Sequence, residues 1–230
     1  IALLVALAVI YFSTGAPVLA ALGIGIGVWL IMGALTDLAL RSGAGRVSAS
    51  VMWHRFAGLP RSAFGSALAH LGLGVCVIGI VAVTAFSTEL TTTLKQGETV
   101  VSGPFELEFE GLKPHAGPNY NELQGRFAVS RNGQAIGTIT SAKRVYTARQ
   151  MPTTEAGIMT RGASQLYVSL GDETAQGGTV VRIWWKPWVT FIWFGAVIMS
   201  LGGIVSLFDR RLRIGAPARR ARSTPAGQET

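Results

Sequence analysis

The stretch Phe64–Phe86 reads FGSALAHLGLGVCVIGIVAVTAF, inside a run without Asp, Glu, Lys or Arg from Ser62 to Thr88. It is long enough to cross a bilayer, for which about 20 apolar residues suffice. Its one ionisable side chain is His70. An imidazole in hydrocarbon needs a partner, so an intramembrane histidine is a functional candidate by default. At helical periodicity Ser66, Ala67, Leu73, Gly74, Val77 and Val81 share its face. Ser66 and Gly74 flank it one turn away on either side, and such small neighbours leave a slot suited to a flat macrocycle. Gly65, Gly72 and Gly79 fall on roughly the opposite face, where small residues let another helix approach. Two roles for His70 follow from these residues: ligation of haem or a metal, or a hydrogen bond to a neighbouring helix.

Outward from this span, the composition agrees with a membrane protein. The chain of 230 residues is 49% hydrophobic and 14% charged, against a usual charged share of about a quarter. Its mean hydropathy is positive. It starts at Ile1 with an apolar run to Ile10, lacking a basic n-region and a cleavage site. That start reads as the C-terminal piece of something longer. A single cysteine, Cys76, excludes an internal disulfide framework and reads as a small buried hydrophobe. With no CxxC or CxxCH, the chain has neither a thiol redox pair nor a covalent haem attachment site.

The net charge of +8 is confined to segments flanking spans. Arg41, Arg46, Arg55 and Arg61 lie in one short segment, and Arg210, Arg211, Arg213, Arg219, Arg220 and Arg222 lie in the tail. This is the positive-inside pattern, and it places both segments in the cytoplasm. No aromatic-interleaved basic face supports nucleic-acid binding.

In chain order, 1–12 is a truncated apolar helix, broken by Ser13–Pro17. Residues 18–40 form a span with Asp37 near its interfacial end, and 41–61 a cytoplasmic loop. In that loop Trp53, His54, Arg55 and Phe56 form an interfacial anchor. The span 64–86 completes a helical unit of 1–86, with His70 in the inner half of the membrane.

Residues 87–186 form a β domain. Phe105, Leu107 and Phe109 alternate with Glu106, Glu108 and Glu110. Phe127 and Val129 continue the pattern. Asn132-Gly133 is a strong hairpin signal leading into 135–140. Residues 143–147, 166–170 and 179–184 are further strands, with 171–178 as a connecting loop. Six or seven short strands predict an antiparallel sandwich or partial barrel. Trp184, Trp185 and Trp188 mark membrane re-entry, and Pro187 suits a first helical turn. The last helix covers 187–209, with Gly195, Gly202 and Gly203 for tight contacts. The basic tail, 210–230, has the composition of a disordered segment. The fold class is therefore integral membrane: α-helical transmembrane spans with an inserted all-β extracytoplasmic domain.

No Walker A loop, GxSxG, HExxH or intramembrane carboxylate pair appears. Lys143-Arg144 and Thr153-Thr154-Glu155 read as an ion-pair or surface face. His115, between Pro114 and Pro118, reads as a solvated loop residue.

From Trp53 to Arg213 the order of short tags resembles the C-terminal part of the CcmF family, the membrane subunit of the bacterial cytochrome c maturation haem lyase. The tags are Ala69-His70-Leu71-Gly72, Gly117-Pro118-Asn119-Tyr120, Lys143-Arg144-Val145-Tyr146 and Thr154-Glu155-Ala156. They continue with 166–171, Val181-Arg182, 186–189, 192–195, 199–203 and Asp209-Arg210-Arg211. The sequence departs from the pattern at Ser141-Ala142, where Pro-Glu is expected, and at Gln165, where an acidic residue is expected.

The resemblance implies a haem lyase of the cytochrome c synthase type in the bacterial inner membrane, with the β domain in the periplasm. It implies attachment of haem to the CxxCH thiols of apocytochrome c on the outer side. It also implies a resident b haem between two transmembrane histidines, one of them His70, with quinol as electron donor. Ser66 and Gly74 would flank that haem. The second histidine and the Trp-rich haem-handling segment would lie in an earlier part of the family's chain, so these residues alone would be inactive. Implied partners are the other maturation subunits, a haem chaperone, apocytochrome c and the lipid bilayer. A non-catalytic scaffold that positions the outer domain is the alternative function. A solute permease is weakened by the scarcity of polar groups in the spans.

Overall fold

A computed structural model describes residues 1–12, 18–148 and 150–209 of the chain. The break expected at 13–17 and the basic tail expected at 210–230 lie outside the described residues. Five helices and nine strands are present among the described residues: α1 (Ala2–Phe12), α2 (Val18–Ser42), α3 (Ala49–Ala57), α4 (Arg61–Phe86), β1 to β9 between Thr88 and Lys186, and α5 (Thr190–Leu207). Helices α2, α4 and α5 are each long and apolar enough to cross a membrane. They form a row in which α4 lies between α2 and α5, and α1 packs on the outer side of α2.

Glycine backbone makes this row close-packed. The seven-residue spacing of Gly65, Gly72 and Gly79 meets the same spacing on antiparallel α5. A Cβ on Gly65 would sit 2.5 Å from the Gly202 carbonyl oxygen, and one on Gly202 would sit 2.7 Å from that of Gly65. Gly72 and Gly195 repeat the relation at 2.7 and 2.6 Å, and Gly79 faces Ile192. Such backbone contact is how helices associate where lipid removes the hydrophobic drive. Gly203, expected to share the contact, instead faces open space. At the basic end, the Ser62 N–H donates to Asp209 Oδ2 at 2.9 Å, so a residue following α5 caps α4.

The segment expected to be a loop at 41–61 contains α3. Ala49, Met52, Trp53 and Phe56 recur at helical spacing, a periodicity hidden among the arginines. Phe56 stacks on Trp53 at 5.8 Å and meets Phe64 edge-on at 4.8 Å, turning this apolar face toward the base of α4. At the other end of the membrane layer, α5 starts at Thr190 rather than in a turn containing Pro187. Trp188 has a left-handed backbone, φ +57°, which no helix continues.

The β domain is a sandwich of two antiparallel sheets. One has the order β1 (Thr88–Leu94), β9 (Thr179–Lys186), β8 (Ser164–Glu173), β7 (Gly157–Arg161), and the other the order β2 (Thr99–Ser102), β3 (Phe105–Ala116), β4 (Tyr120–Arg131), β5 (Gln134–Tyr146), β6 (Pro152–Glu155). Strand β3 (Phe105–Ala116) alternates as the sequence predicts: Phe105, Leu107 and Phe109 point inward, and Glu106, Glu108 and Glu110 face solvent. They meet Phe127 and Val129 of β4 (Tyr120–Arg131), with Phe109 stacked on its registered partner Phe127 at 5.0 Å. Leu166, Val168 and Leu170 of β8 (Ser164–Glu173) and Val181 and Ile183 of β9 (Thr179–Lys186) close the core from the other sheet. Asn132 and Gly133 adopt φ of +52° and +74° in a two-residue hairpin, the left-handed pair that a type I′ turn requires.

Three expectations are corrected here. Residues 135–140 and 143–147 belong to one strand, β5 (Gln134–Tyr146), because Ser141-Ala142 continues the ladder. The connection expected at 171–178 is shorter, since β8 runs on to Glu173 across an irregularity after Leu170. His115 is a strand residue of β3 opposite Glu122, not a loop residue. Pro114 is tolerated beside it because β2 (Thr99–Ser102) pairs only as far as Glu108, leaving that edge of β3 free.

A slot beside His70

His70 stands on the α2-facing half of α4. Its Nδ1 lies 2.7 Å from the Ser66 carbonyl oxygen. A carbonyl only accepts, so Nδ1 carries the proton and neutral imidazole keeps its lone pair on Nε2. This is the tautomer and the orienting hydrogen bond that a ligating histidine uses. The ring is exposed and borders a cavity of about 350 Å³. Helix α2 lines the cavity with Trp29, Gly33, Ala34, Asp37 and Arg41, and α4 lines it with Ser66, Ala67 and His70. A Cβ on Gly33 would meet nothing within 4 Å, so the wall opposite the ring is open.

Of the three residues expected here, the cavity holds His70 and Ser66. Ser66 contributes its backbone carbonyl. Gly74 lies elsewhere: it is buried in the α2–α4 crossing, where its Cβ would sit 2.6 Å from the Gly27 carbonyl oxygen and from Ile31. The space beside the ring is instead left by Gly33, Ala34 and Ala67. The sequence reading assigned no far-wall residue to this slot: it placed Asp37 at the interface and Arg41 in the basic segment, and named neither Trp29 nor Gly33. Trp29, Gly33, Asp37 and Arg41 recur every four residues along α2, and that ladder was the available signal. Arg41 Nε donates to both carboxylate oxygens of Asp37, at 2.9 and 2.8 Å, closing the basic end of the slot.

The polar groups of the sandwich serve its structure. Arg144 lies 3.9 Å over the Tyr120 ring. Its Nε donates to Glu122 at 2.8 Å, and Nη1 reaches Glu155 at 3.4 Å. Burial pushes the Glu122 carboxyl up, but hydrogen bonds from Gln124 and Arg144 and the charge of Arg144 outweigh it and hold the group below its ordinary range. Lys143 pairs with Asp172 across the two sheets. Buried Ser141, one of the departures from the family pattern, donates to the Glu155 carbonyl at 2.8 Å and accepts from the Leu170 N–H at 3.1 Å. His54 is exposed. No cluster of three His, Cys, Asp or Glu suited to a metal ion occurs among the described residues.

Residues 85–187 match the family model described as the CcmF C-terminal β-sandwich. The chain is 60% identical over 217 residues to the cytochrome c-type biogenesis protein CycK of Rhizobium meliloti strain 1021, covering 94% of the chain and 32% of that protein. Identity to CycK of Bradyrhizobium diazoefficiens is 47% over 215 residues, covering 93% of the chain and 33% of that protein. The chain thus spans about a third of the length of these relatives. A solved structure titled cytochrome c heme lyase CcmF superposes with a TM-score of 0.56 at 15% identity, covering 84% of this chain and 39% of that one. That likeness extends the agreement in fold beyond the sandwich to the helices.

Proposed function

Because the chain belongs to the CcmF family of cytochrome c-type biogenesis proteins, we propose that it forms the C-terminal membrane part of a haem lyase, with His70 one axial ligand to a resident b haem. The observation that carries this reading is the imidazole itself. Its Nδ1–H is held by the Ser66 carbonyl, and among the described residues its Nε2 has no hydrogen-bond partner beside an open slot that Gly33, Ala34 and Ala67 keep clear. The donor fits: a neutral imidazole on a rigid span is a common haem ligand. Ala67, Ala34 and Gly33 leave room for a flat ring, and Trp29 offers an aromatic wall. A b haem held there by His70 would supply one-electron chemistry, with quinol as the electron donor.

On this reading the second axial ligand comes from residues outside this chain, and haem transfer to the thiols of apocytochrome c occurs on the outer side of the inner membrane. The sandwich stands in the periplasm as a framing and docking surface for the haem chaperone, apocytochrome c and other maturation subunits. The arginine-rich segment at 41–61 faces the cytoplasm. Replacing His70 by Ala in the complete protein removes or loosens the haem, read as loss of the reduced-minus-oxidised spectrum. An unchanged spectrum rejects the ligand assignment and leaves the scaffold reading. Cysteine at Ser48 stays unlabelled by an impermeant reagent applied from outside intact cells, and labelling there would reverse the orientation.

A further inference from the structure

The same slot carries a charge that iron ligation does not use. We infer that Arg41, steadied by Asp37, is the counter-charge for a carboxylate arm of the macrocycle ligated by His70. The inference rests on the haem reading above, and it assigns a second binding residue on a different helix.

The helix register sets the geometry. Gly23 meets Val81, and Gly27 meets Gly74 and Ile78. Helices α2 and α4 are therefore antiparallel, and each step along α2 is a step back along α4. Arg41 then stands near the first turn of α4, about seven residues or roughly 10 Å below His70 along the helix. Both residues border one cavity. A flat ring lying beside α4 with iron at His70 would turn one edge toward the basic end of the slot.

The chemistry at that end suits a carboxylate. Asp37 takes Arg41 through Nε. Both Nη groups therefore remain available among the described residues. Arginine carries five N–H donors in a planar fork that matches a carboxylate bidentately. Asp37 holds the fork in place, and Gly33, one turn inward, leaves the approach clear. The alternative site for a carboxylate arm, deeper along α4, has Leu73, Gly74, Val77 and Val81 on the same face and no charged side chain.

A cation on a haem carboxylate favours the reduced iron, because it offsets negative charge that otherwise stabilises the ferric state. The test is the midpoint potential of the b haem in the complete, detergent-purified protein, for Arg41→Gln, Arg41→Lys, Arg46→Gln and His70→Ala. The expected result is a downward shift in Arg41→Gln, most of it recovered in Arg41→Lys, and none in Arg46→Gln, whose arginine lies outside the slot. Loss of haem in Arg41→Gln with retention in Arg41→Lys supports the assignment equally. A wild-type potential in Arg41→Gln, with haem lost in His70→Ala, assigns Arg41 to lipid headgroups and overturns the inference alone. An equal shift in Arg46→Gln, or loss of haem in both Arg41 variants, overturns it as well. An unaltered spectrum in His70→Ala overturns the haem reading and this inference with it.

Discussion

The sandwich and the helical row hold together by different means. In the sandwich, large side chains from both sheets bury one another: Phe105, Leu107, Phe127, Leu166 and Ile183 are each at most 2% exposed. In the row, the close contacts are glycine against backbone, and only 17 to 28% of each span is buried. The sandwich is thus saturated by its own residues. The row leaves most of its apolar surface to lipid or to other helices, and it leaves one polar face open at His70. On the proposed reading, chemistry is placed where packing is incomplete. The domain with the finished core supplies shape.

The contrast can be broken first in the sandwich. Phe127→Ala removes a ring at the centre of the core, and destabilisation of about 3–5 kcal/mol is expected, measured by denaturant unfolding of the domain. Ordinary stability after that change would mean that the core does not hold the sheets together. In the row, Gly72→Leu drives a side chain into the Met199 N–H and the Gly195 carbonyl, both backbone, with a Cβ distance of 2.6 Å to the former. A loss of about 3 kcal/mol, at the upper end for overpacking, is expected as a lower thermal midpoint in detergent. Gly203→Leu, directed into open space, changes stability by no more than about 0.5 kcal/mol, so that midpoint stays close to wild type.

Between the two sheets, Ser141→Ala leaves the Leu170 N–H without its acceptor and should destabilise the sandwich by about 1–3 kcal/mol. A smaller effect depends on pH. The Glu122 carboxyl is held below its ordinary value of 4.5, so it contributes stability that is present above that value and lost as pH falls through the depressed one. Glu122→Gln should flatten this acid limb in a pH series of thermal midpoints. An unaltered limb would place the acid sensitivity elsewhere. The smallest expected effect is that of His70→Ala on sandwich unfolding, within about 0.5 kcal/mol.

The sequence was most readable where side-chain periodicity and burial agree. The alternation of Phe105–Glu110, the Asn132-Gly133 turn and the seven-residue glycine spacing on α4 each led to the observed structure. It was least readable where burial is slight. The apolar face of α3 is short and set among arginines. Strand β1, Thr88–Leu94, is rich in threonine and alternates only weakly, so its partnership with β9 is set by tertiary context. His70 and Ser66 could be placed from their own helix, but the opposite wall of the slot could not. One helix wheel shows which residues share a face, not which of them a neighbour covers. That is why Gly74, one turn from His70, proved to be a crossing residue, and why Asp37 and Arg41 emerged only once α2 lay against α4.

The most direct test of the central claim is chemical rescue. In the complete protein, His70→Gly removes the imidazole and leaves the slot open to a small solute. The expected result is loss of the six-coordinate b-haem spectrum and its return on adding imidazole to the buffer. A His70→Gly protein with the wild-type spectrum before any imidazole is added would mean that the iron is held by another group.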